Sequence, residues 1–251
     1  MHLDALDLKE FYGTALGSVV RRLLGRHLRK CWKDVRNARV FGLGYATPYL
    51  GQFRHEAEPL GALMPGELGA VPWPTQGPRS SVLVDATDLP LIDECADLLL
   101  LVHMLEWSEK SRALLRELWR VLSPNGRLLI VVPNRRGLWA RIDTTSFGYG
   151  HPYSRGQLER LLGDCFYAPT GWWPGLFMPP VHRQLVLNTA IAWERVGHYT
   201  WPGFSGVLIV EAQKRIYAPI GKAAKAPKGK FQTVPARVSA MAEAVPVGAP
   251  R

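Results

Sequence analysis

Residues 81–134 constrain the fold more than any other stretch, because they alternate short apolar runs with one long periodic segment. Residues 82–84 and 98–102 are apolar without a polar interruption, and residues 128–132 form a third run of this kind. Short uninterrupted apolar runs are typical of strands that a sheet buries on both faces. This stretch therefore predicts three buried strands.

A helix is predicted between the second and third of these strands. Within residues 108–122 the apolar side chains recur at helical spacing, and Ser108 and Glu109 supply an N-cap and a first-turn acid. The sequence Ser-Pro-Asn-Gly at 123–126 then ends the helix, because proline lacks an amide donor and glycine tolerates a positive φ angle. A helix that connects two strands of one sheet implies that those strands are parallel.

The composition fits one globular domain followed by a basic tail. The chain has 251 residues, 47% of them hydrophobic, and a net charge of +10. Residues 214–251 contain eight Lys and Arg residues and a single acid, so the tail holds most of this charge. Five prolines and the loss of periodicity predict disorder for roughly its last thirty residues. We therefore expect a folded domain, residues 1–213, and a tail that contacts polyanions by unspecific electrostatics alone.

Several classes of protein are not indicated. Cys31, Cys95 and Cys165 are widely spaced and form no Cys-x-x-Cys pair, so the sequence indicates neither a disulfide framework nor a metal site. No apolar run approaches the roughly 20 residues that span a bilayer, and the N-terminus lacks the pattern of an export signal. These observations predict a cytoplasmic protein. The sequence does not predict its oligomeric state.

Outside the central stretch, the clearest pattern is an amphipathic helix over residues 7–36. One face is apolar and the other is rich in arginine, which indicates either a solvated surface, the favoured interpretation, or contact with an anion or lipid surface. Residues 166–180 are rich in tryptophan and proline, and we expect a buried cap there rather than an exposed contact patch. Residues 185–196 then predict a helix, and residues 206–212 a closing strand.

The ordered residues of the central stretch resemble the second half of the class I S-adenosylmethionine-dependent methyltransferases, especially the type 11 branch. The residues that carry this resemblance are Asp85, Leu89, Pro90, Leu91, Asp93, Asp97, His103, Met104, Leu105, Glu106, 118–122 and 123–128. The resemblance, which extends over about residues 40–214, implies an α/β fold with a Rossmann-like, seven-stranded, mostly parallel sheet and helices on both faces. It also implies S-adenosylmethionine as the cofactor and a small-molecule acceptor of the methyl group.

The resemblance further implies a set of cofactor-binding residues. Gly42 and Gly44 lie where the glycine-rich first motif is expected, and glycines there let the backbone approach a ligand closely. Asp85 would accept a hydrogen bond from the adenine amino group next to the Ala86 amide, and His103 would line the methionine part of the site. No catalytic residue is assigned, because the sulfonium carbon is already electrophilic and the protein needs chiefly to align the acceptor.

The sequence also departs from the family pattern. Val40 or Phe41 stands where an acid is usual before the first glycine, and Ala46 stands in place of a third glycine. An acid that ends the second strand, predicted at residues 60–64, is not evident, although Glu58 or Glu67 is a candidate for a displaced substitute. These departures favour an alternative: a non-catalytic binding or regulatory protein that kept the fold and weakened its cofactor site. The charge of the tail leaves nucleic-acid binding as a third interpretation.

Overall fold

The computed structural model describes residues 4–142 and 145–216, so the predicted disorder of the last thirty residues falls outside the described part. In chain order the elements are α1 (Ala5–Gly13), α2 (Ala15–Cys31), β1 (Val40–Gly44), α3 (Thr47–Leu50), β2 (Leu60–Pro65), β3 (Ser81–Val84), β4 (Ala96–Val102), α4 (Ser111–Val121), β5 (Leu122–Pro133), α5 (Arg155–Asp164), β6 (Tyr167–Gly175), α6 (Gln184–Asn188), α7 (Ala190–Thr200) and β7 (Val207–Lys214).

The strands form one seven-stranded sheet in the order β3-β2-β1-β4-β5-β7-β6. Strands β1 to β5 pair in parallel, whereas β7 runs antiparallel to both β5 and β6. A hydrophobic cluster covers each face of the sheet. Leu98 and Leu100 of β4 pack in the cluster that contains residues of α2, whereas Leu99 and Leu101 pack in the cluster that contains residues of α4. Burying each such leucine contributes about 1.5–3 kcal/mol, so β4 anchors both layers. The predicted α/β fold is confirmed.

The predicted helix at residues 7–36 is two helices, α1 and α2, which meet at Thr14. The Thr14 hydroxyl accepts a hydrogen bond from the Gly17 amide and so caps the start of α2. A Cβ atom at Gly17 would overlap the Phe11 carbonyl oxygen, so glycine is needed where the helices meet. Helix α2 ends at Cys31 rather than at residue 36, because Trp32 leaves the helical conformation and is fully buried.

The boundary between α4 and β5 also differs from the expectation. Helix α4 begins at Ser111, and Lys110 rather than Ser108 occupies its N-cap position. The Ser108 carbonyl instead accepts a hydrogen bond from the Ser111 hydroxyl. Leu122 already pairs with β4 as the first residue of β5, and the predicted turn at residues 123–126 is an irregularity within that strand.

Both edges of the sheet contain strands that the apolar pattern describes poorly. Val82 and Leu83 of β3 are exposed because β3 is an edge strand, so the predicted burial on both faces is wrong for this run. Strand β6 is the opposite edge and contains Pro169 and Pro174, which an edge strand tolerates because it has unpaired positions. The tryptophans of this strand are half-buried at the sheet edge, whereas Phe177 and Met178, which follow it, are buried. The expected burial therefore holds for the end of the stretch but not for its tryptophans.

The closing strand β7 extends beyond its predicted end. Lys214, which we assigned to the tail, is the last residue of β7, and its buried ammonium group donates to the Leu122 carbonyl at 2.9 Å and to Glu94 at 3.1 Å. The predicted helix at 185–196 is divided into α6 and α7. No helix in residues 4–142 and 145–216 has the length and hydropathy of a membrane span.

Candidate functional site

The carboxyl ends of β2, β3 and β4 surround a cleft of about 470 Å³. This edge is where ligands bind in open α/β sheets, because the loops that leave parallel strands diverge there. The cleft is lined by Pro65, Gly66, Glu67, Val84, Asp85, Ala86, Thr87, Met104, Ser108, Glu109 and Lys110. Two residues of the predicted site, Asp85 and Ala86, therefore lie in it.

Only one oxygen of the Asp85 carboxylate forms hydrogen bonds with described residues of the protein. One oxygen, Oδ1, accepts hydrogen bonds from the Thr87 amide at 2.7 Å and from the Thr87 hydroxyl at 2.8 Å. These two bonds hold the pKa of Asp85 below its usual range, so the group is ionised at neutral pH. Within the part of the chain that the structure describes, the other oxygen makes no hydrogen bond to protein. An exposed, oriented acceptor is therefore available at the cleft.

The two glutamates that flank β2 lie at opposite ends of that strand. Glu67 follows β2 in the turn after Pro65 and lines the cleft, whereas Glu58 precedes the strand and is absent from the lining. Since β2 is parallel to β1 and β3, its amino end lies at the other edge of the sheet. The structure thus places a carboxylate at the end of the second strand, and it is Glu67.

Gly44 and Gly42 are required by contacts inside the protein. Gly44 ends β1 with a φ angle of 84°, and a Cβ atom there would overlap the Val102 carbonyl oxygen and come within 2.8 Å of the Met104 Cβ atom. At Gly42 a Cβ atom would lie 2.6 Å from the Ala46 Cβ atom. Gly44 therefore lies directly behind Met104, a wall of the cleft, while Gly42 packs against α3.

His103 follows β4 but is buried under α1 and absent from the cleft lining. Its backbone has a φ angle of 50°, and its Nε2 atom lies 2.9 Å from the Tyr12 hydroxyl of α1. The Phe147 ring covers its other side, with ring centroids 4.5 Å apart. The structure thus brings His103 next to Gly44, whereas Asp85 and Ala86 line the cleft together with Met104.

Three tyrosines form a closed cluster over the end of β1. The hydroxyls of Tyr12 and Tyr49 lie 2.9 Å apart, and the Tyr12 and Tyr45 rings stack with centroids 5.7 Å apart. Burial raises the pKa of Tyr12 well above its usual value and that of Tyr45 to about 12, so both hydroxyls stay neutral. No local pattern in the sequence predicts this cluster, because Tyr12 and Tyr49 meet across 37 residues.

Glu106 is the other buried polar group of this region. Its side chain is fully buried, and one oxygen lies 3.3 Å from the His103 Nδ1 atom, an ion-pair distance without hydrogen-bond geometry. Among the described residues, neither oxygen of Glu106 receives a hydrogen bond. Buried polar atoms without partners are rare in native proteins, so each one calls for a structural or functional explanation. The described residues contain no cluster of His, Cys, Asp and Glu that could hold a metal ion.

Residues 25–130 match a family model described as a methyltransferase domain. This match supports a class I methyltransferase domain over these residues. Solved structures share its fold at low identity: an S-adenosylmethionine-dependent methyltransferase from Mesorhizobium loti is 15% identical over 75% of this chain and 96% of that chain, with a TM-score of 0.54. Geranyl diphosphate C-methyltransferase from Streptomyces coelicolor, solved with S-adenosyl-L-homocysteine, is 12% identical over 76% of each chain, with a TM-score of 0.51.

The same fold also occurs in a protein named for a different reaction. The [4+2]-cyclase SpnF is 18% identical over 78% of this chain and 82% of that chain, with a TM-score of 0.52. No curated protein matches the chain. Family and fold therefore support S-adenosylmethionine-dependent methylation in general and do not identify an acceptor.

The residues that line the cleft fit the adenosine half of S-adenosylmethionine. Adenosine offers hydroxyl donors on its ribose, an amino donor on its adenine and the apolar faces of the base. The cleft provides the carboxylates of Glu67 and Asp85 beside the apolar walls Val84, Ala86 and Met104. The region under α1 is closed by the tyrosine cluster, so a ligand that extends past Met104 would displace packed side chains.

Proposed function

We propose that this chain transfers the methyl group of S-adenosylmethionine to a small-molecule acceptor, and that the cleft beside Asp85 holds the adenosine of the cofactor. The observation that carries this proposal is the free carboxylate oxygen of Asp85 at the end of β3, in a cleft that also contains Glu67. Bound S-adenosylmethionine supplies an electrophilic methyl group, and the chain's own residues bind, orient and exclude water.

Each lining residue has a distinct part in this proposal. Glu67 accepts hydrogen bonds from the ribose hydroxyls, and Asp85 accepts one from the adenine amino group next to the Ala86 amide. Met104 packs against the base, and Gly44 lets the backbone behind Met104 approach β4 without a side chain in between. Gly42 does not contact the cofactor in this proposal, and it supports the site indirectly by letting α3 pack against β1.

The buried region around His103 is the proposed acceptor region. Tyr12, Tyr49 and His103 form a hydrogen-bonded chain there, and Glu106 faces His103. In the structure the Tyr12 hydroxyl forms a hydrogen bond with the His103 Nε2 atom, so this atom can contact an acceptor only after α1 has moved. His103 is therefore a wall of the proposed methionine subsite, and it takes a proton from the acceptor only in an open state.

Calorimetric titration with S-adenosylhomocysteine tests the cofactor site. Glu67→Gln should weaken binding by about tenfold, because a carboxylate that accepts two hydroxyls is replaced by an amide with one acceptor. Glu58→Gln is the matched control, since Glu58 is also exposed and flanks the same strand at its other end. Equal affinities for these two variants would contradict the ribose assignment.

A binding protein without transferase activity is the second candidate. Gly42 and Gly44 are both explained by internal packing, so neither by itself requires a cofactor. The likeness to a protein named as a cyclase adds that the fold does not fix the reaction. Incubation with S-adenosylmethionine carrying a tritiated methyl group and a pool of small metabolites separates the two: a labelled product supports transfer, and binding without a product supports the second candidate.

A further inference from the structure

Residues 184–204 expose an unusual amount of apolar surface. Six large apolar side chains of this segment are exposed, and together they form the apolar patch: Leu185, Ile191, Val196, Tyr199, Trp201 and Phe204. Tyr199 is 86% exposed, Leu185 82% and Phe204 63%. Scattered single residues of this kind are ordinary on a protein surface, whereas a concentration within one short segment marks an interaction site.

The orientation of α7 shows that the exposure is systematic. The helix packs through Ala190 and Gly197, and a Cβ atom at Gly197 would overlap the Phe177 side chain. At helical spacing Ile191, Val196 and Tyr199 lie on the opposite, outward side. A surface helix normally turns its polar side outward, whereas the outward face of α7 presents these three apolar side chains beside the exposed Arg195 and His198.

Helix α2 borders this patch with positive charge. Arg22 of α2 and Ile191 of α7 line one groove of about 330 Å³, and His27 of α2 lies 3.9 Å from Glu194 of α7. Helix α2 contains no Asp or Glu. Arg21, Arg22 and Arg26 are exposed, and no carboxylate in residues 4–142 and 145–216 pairs with them. An apolar surface and an unneutralised basic surface are therefore adjacent.

We propose that this surface, the apolar patch with the basic side of α2, docks on an anionic phospholipid bilayer. Aromatic and aliphatic side chains enter the boundary between headgroups and acyl chains, while arginines pair with lipid phosphates above it. This proposal is independent of the proposed methyl transfer.

Charge separates this occupant from a second copy of the chain and from the tail, and apolar character separates it from nucleic acid. A second copy of the chain in an isologous contact would bring two basic α2 helices together, and the tail at 217–251 is itself basic. Both would meet repulsion at the rim of the patch. Nucleic acid matches the charge, but it offers no apolar partner for Leu185, Ile191 and Val196.

Flotation of the full chain with vesicles tests the proposal. The probes are vesicles of phosphatidylcholine alone and vesicles in which about a third of the lipid is phosphatidylglycerol. The chain should float with the anionic vesicles, and the double variant Leu185→Ser/Tyr199→Ser should lower the bound fraction at least about tenfold, because two side chains lose their burial in lipid. Arg22→Glu/Arg26→Glu should lower it too, and more so at low salt.

The matched control is Ile92→Ser. Ile92 is 78% exposed but lies between β3 and β4, away from α7, so its variant should float like the wild type. All the substituted side chains are exposed, and equal melting temperatures would show that every variant is folded. Failure of the wild type to float with either vesicle would overturn the proposal. Flotation that the patch variants leave unchanged would overturn it as well, since charge alone would then account for binding, and so would a patch-dependent dimer seen by sedimentation without lipid.

Discussion

Asp85→Asn is the substitution that tests the adenine assignment most directly. The wild-type side chain uses Oδ1 for Thr87 and leaves the other oxygen free at the cleft. Asparagine keeps one acceptor for Thr87 but replaces the free oxygen by an amino group, which is a donor. The substitution therefore places a hydrogen-bond donor, instead of an acceptor, opposite the adenine amino group, and it leaves the turn after β3 in place.

The expected loss follows from the kind of bond that is removed. A hydrogen bond to a charged acceptor contributes about 1.5–3 kcal/mol, and each 1.4 kcal/mol is a factor of about ten in affinity. Asp85→Asn should thus weaken S-adenosylhomocysteine binding by about 10- to 100-fold. Rotation of the amide would restore the acceptor for adenine but would break the two hydrogen bonds from Thr87, so it would not recover the lost affinity.

Calorimetry on the wild type, Asp85→Asn and Asp88→Asn provides the measurement. Asp88 is exposed, is three residues away and is absent from the cleft lining, so its variant removes the same charge without the same contact. Thermal melts of all three proteins separate lost binding from lost folding. Affinities of the two variants that agree within about threefold would refute the adenine assignment, because the effect would then be one of net charge.

Three further outcomes follow from the geometry. Gly44→Ala should lower the free energy of unfolding by about 3 kcal/mol or more, because a methyl group at this positive φ angle overlaps a β4 carbonyl; a urea midpoint equal to the wild type would contradict this. Tyr12→Phe should lower the melting temperature by several degrees, since the loss of a buried hydroxyl costs about 1–3 kcal/mol, and an unchanged melt would show that α1 is held without it. Hydrogen bonds to Arg39 lower the pKa of Asp97 to about 2, so the ionised carboxylate stabilises the fold above about pH 4 and loses this effect as the pH falls towards 2. Asp97→Asn should therefore be less stable than the wild type by about 1 kcal/mol at neutral pH, a figure reduced for solvent screening. A stability difference that persists at pH 2 would contradict this linkage.

The succession of strands along the chain and the position of Asp85 at a strand end were predictable from the sequence, because apolar runs and carboxyl strand ends obey local rules. The choice between Glu58 and Glu67 was also within reach, since only the residue that follows a parallel strand lies at its carboxyl end. The break at Thr14 had a signal too, a threonine three residues before Gly17, but the apolar stripe continues across the break and masks it.

Other features depend on contacts between distant residues, which no local pattern encodes. Gly44 is fixed by the Val102 carbonyl, and Tyr12 meets His103 across 91 residues. The exposure of Val82 follows from the position of β3 at an edge, and strand order decides edges. Nothing in the run 82–84 itself distinguishes an edge strand from a central one.

The position of β7 has a consequence for synthesis. Because β7 lies between β5 and β6, the apolar edge of β5 has no partner until a chain segment roughly 80 residues farther on has been made. At translation rates of about 5–20 residues per second, that edge stays unpaired for about 4–16 s. An unpaired strand edge is a template for aggregation. Nascent chains that end before β7 should thus remain sensitive to protease at β5 and should bind a chaperone. Chains in which all of β7 has left the ribosome should lose the protease sensitivity and the chaperone binding together.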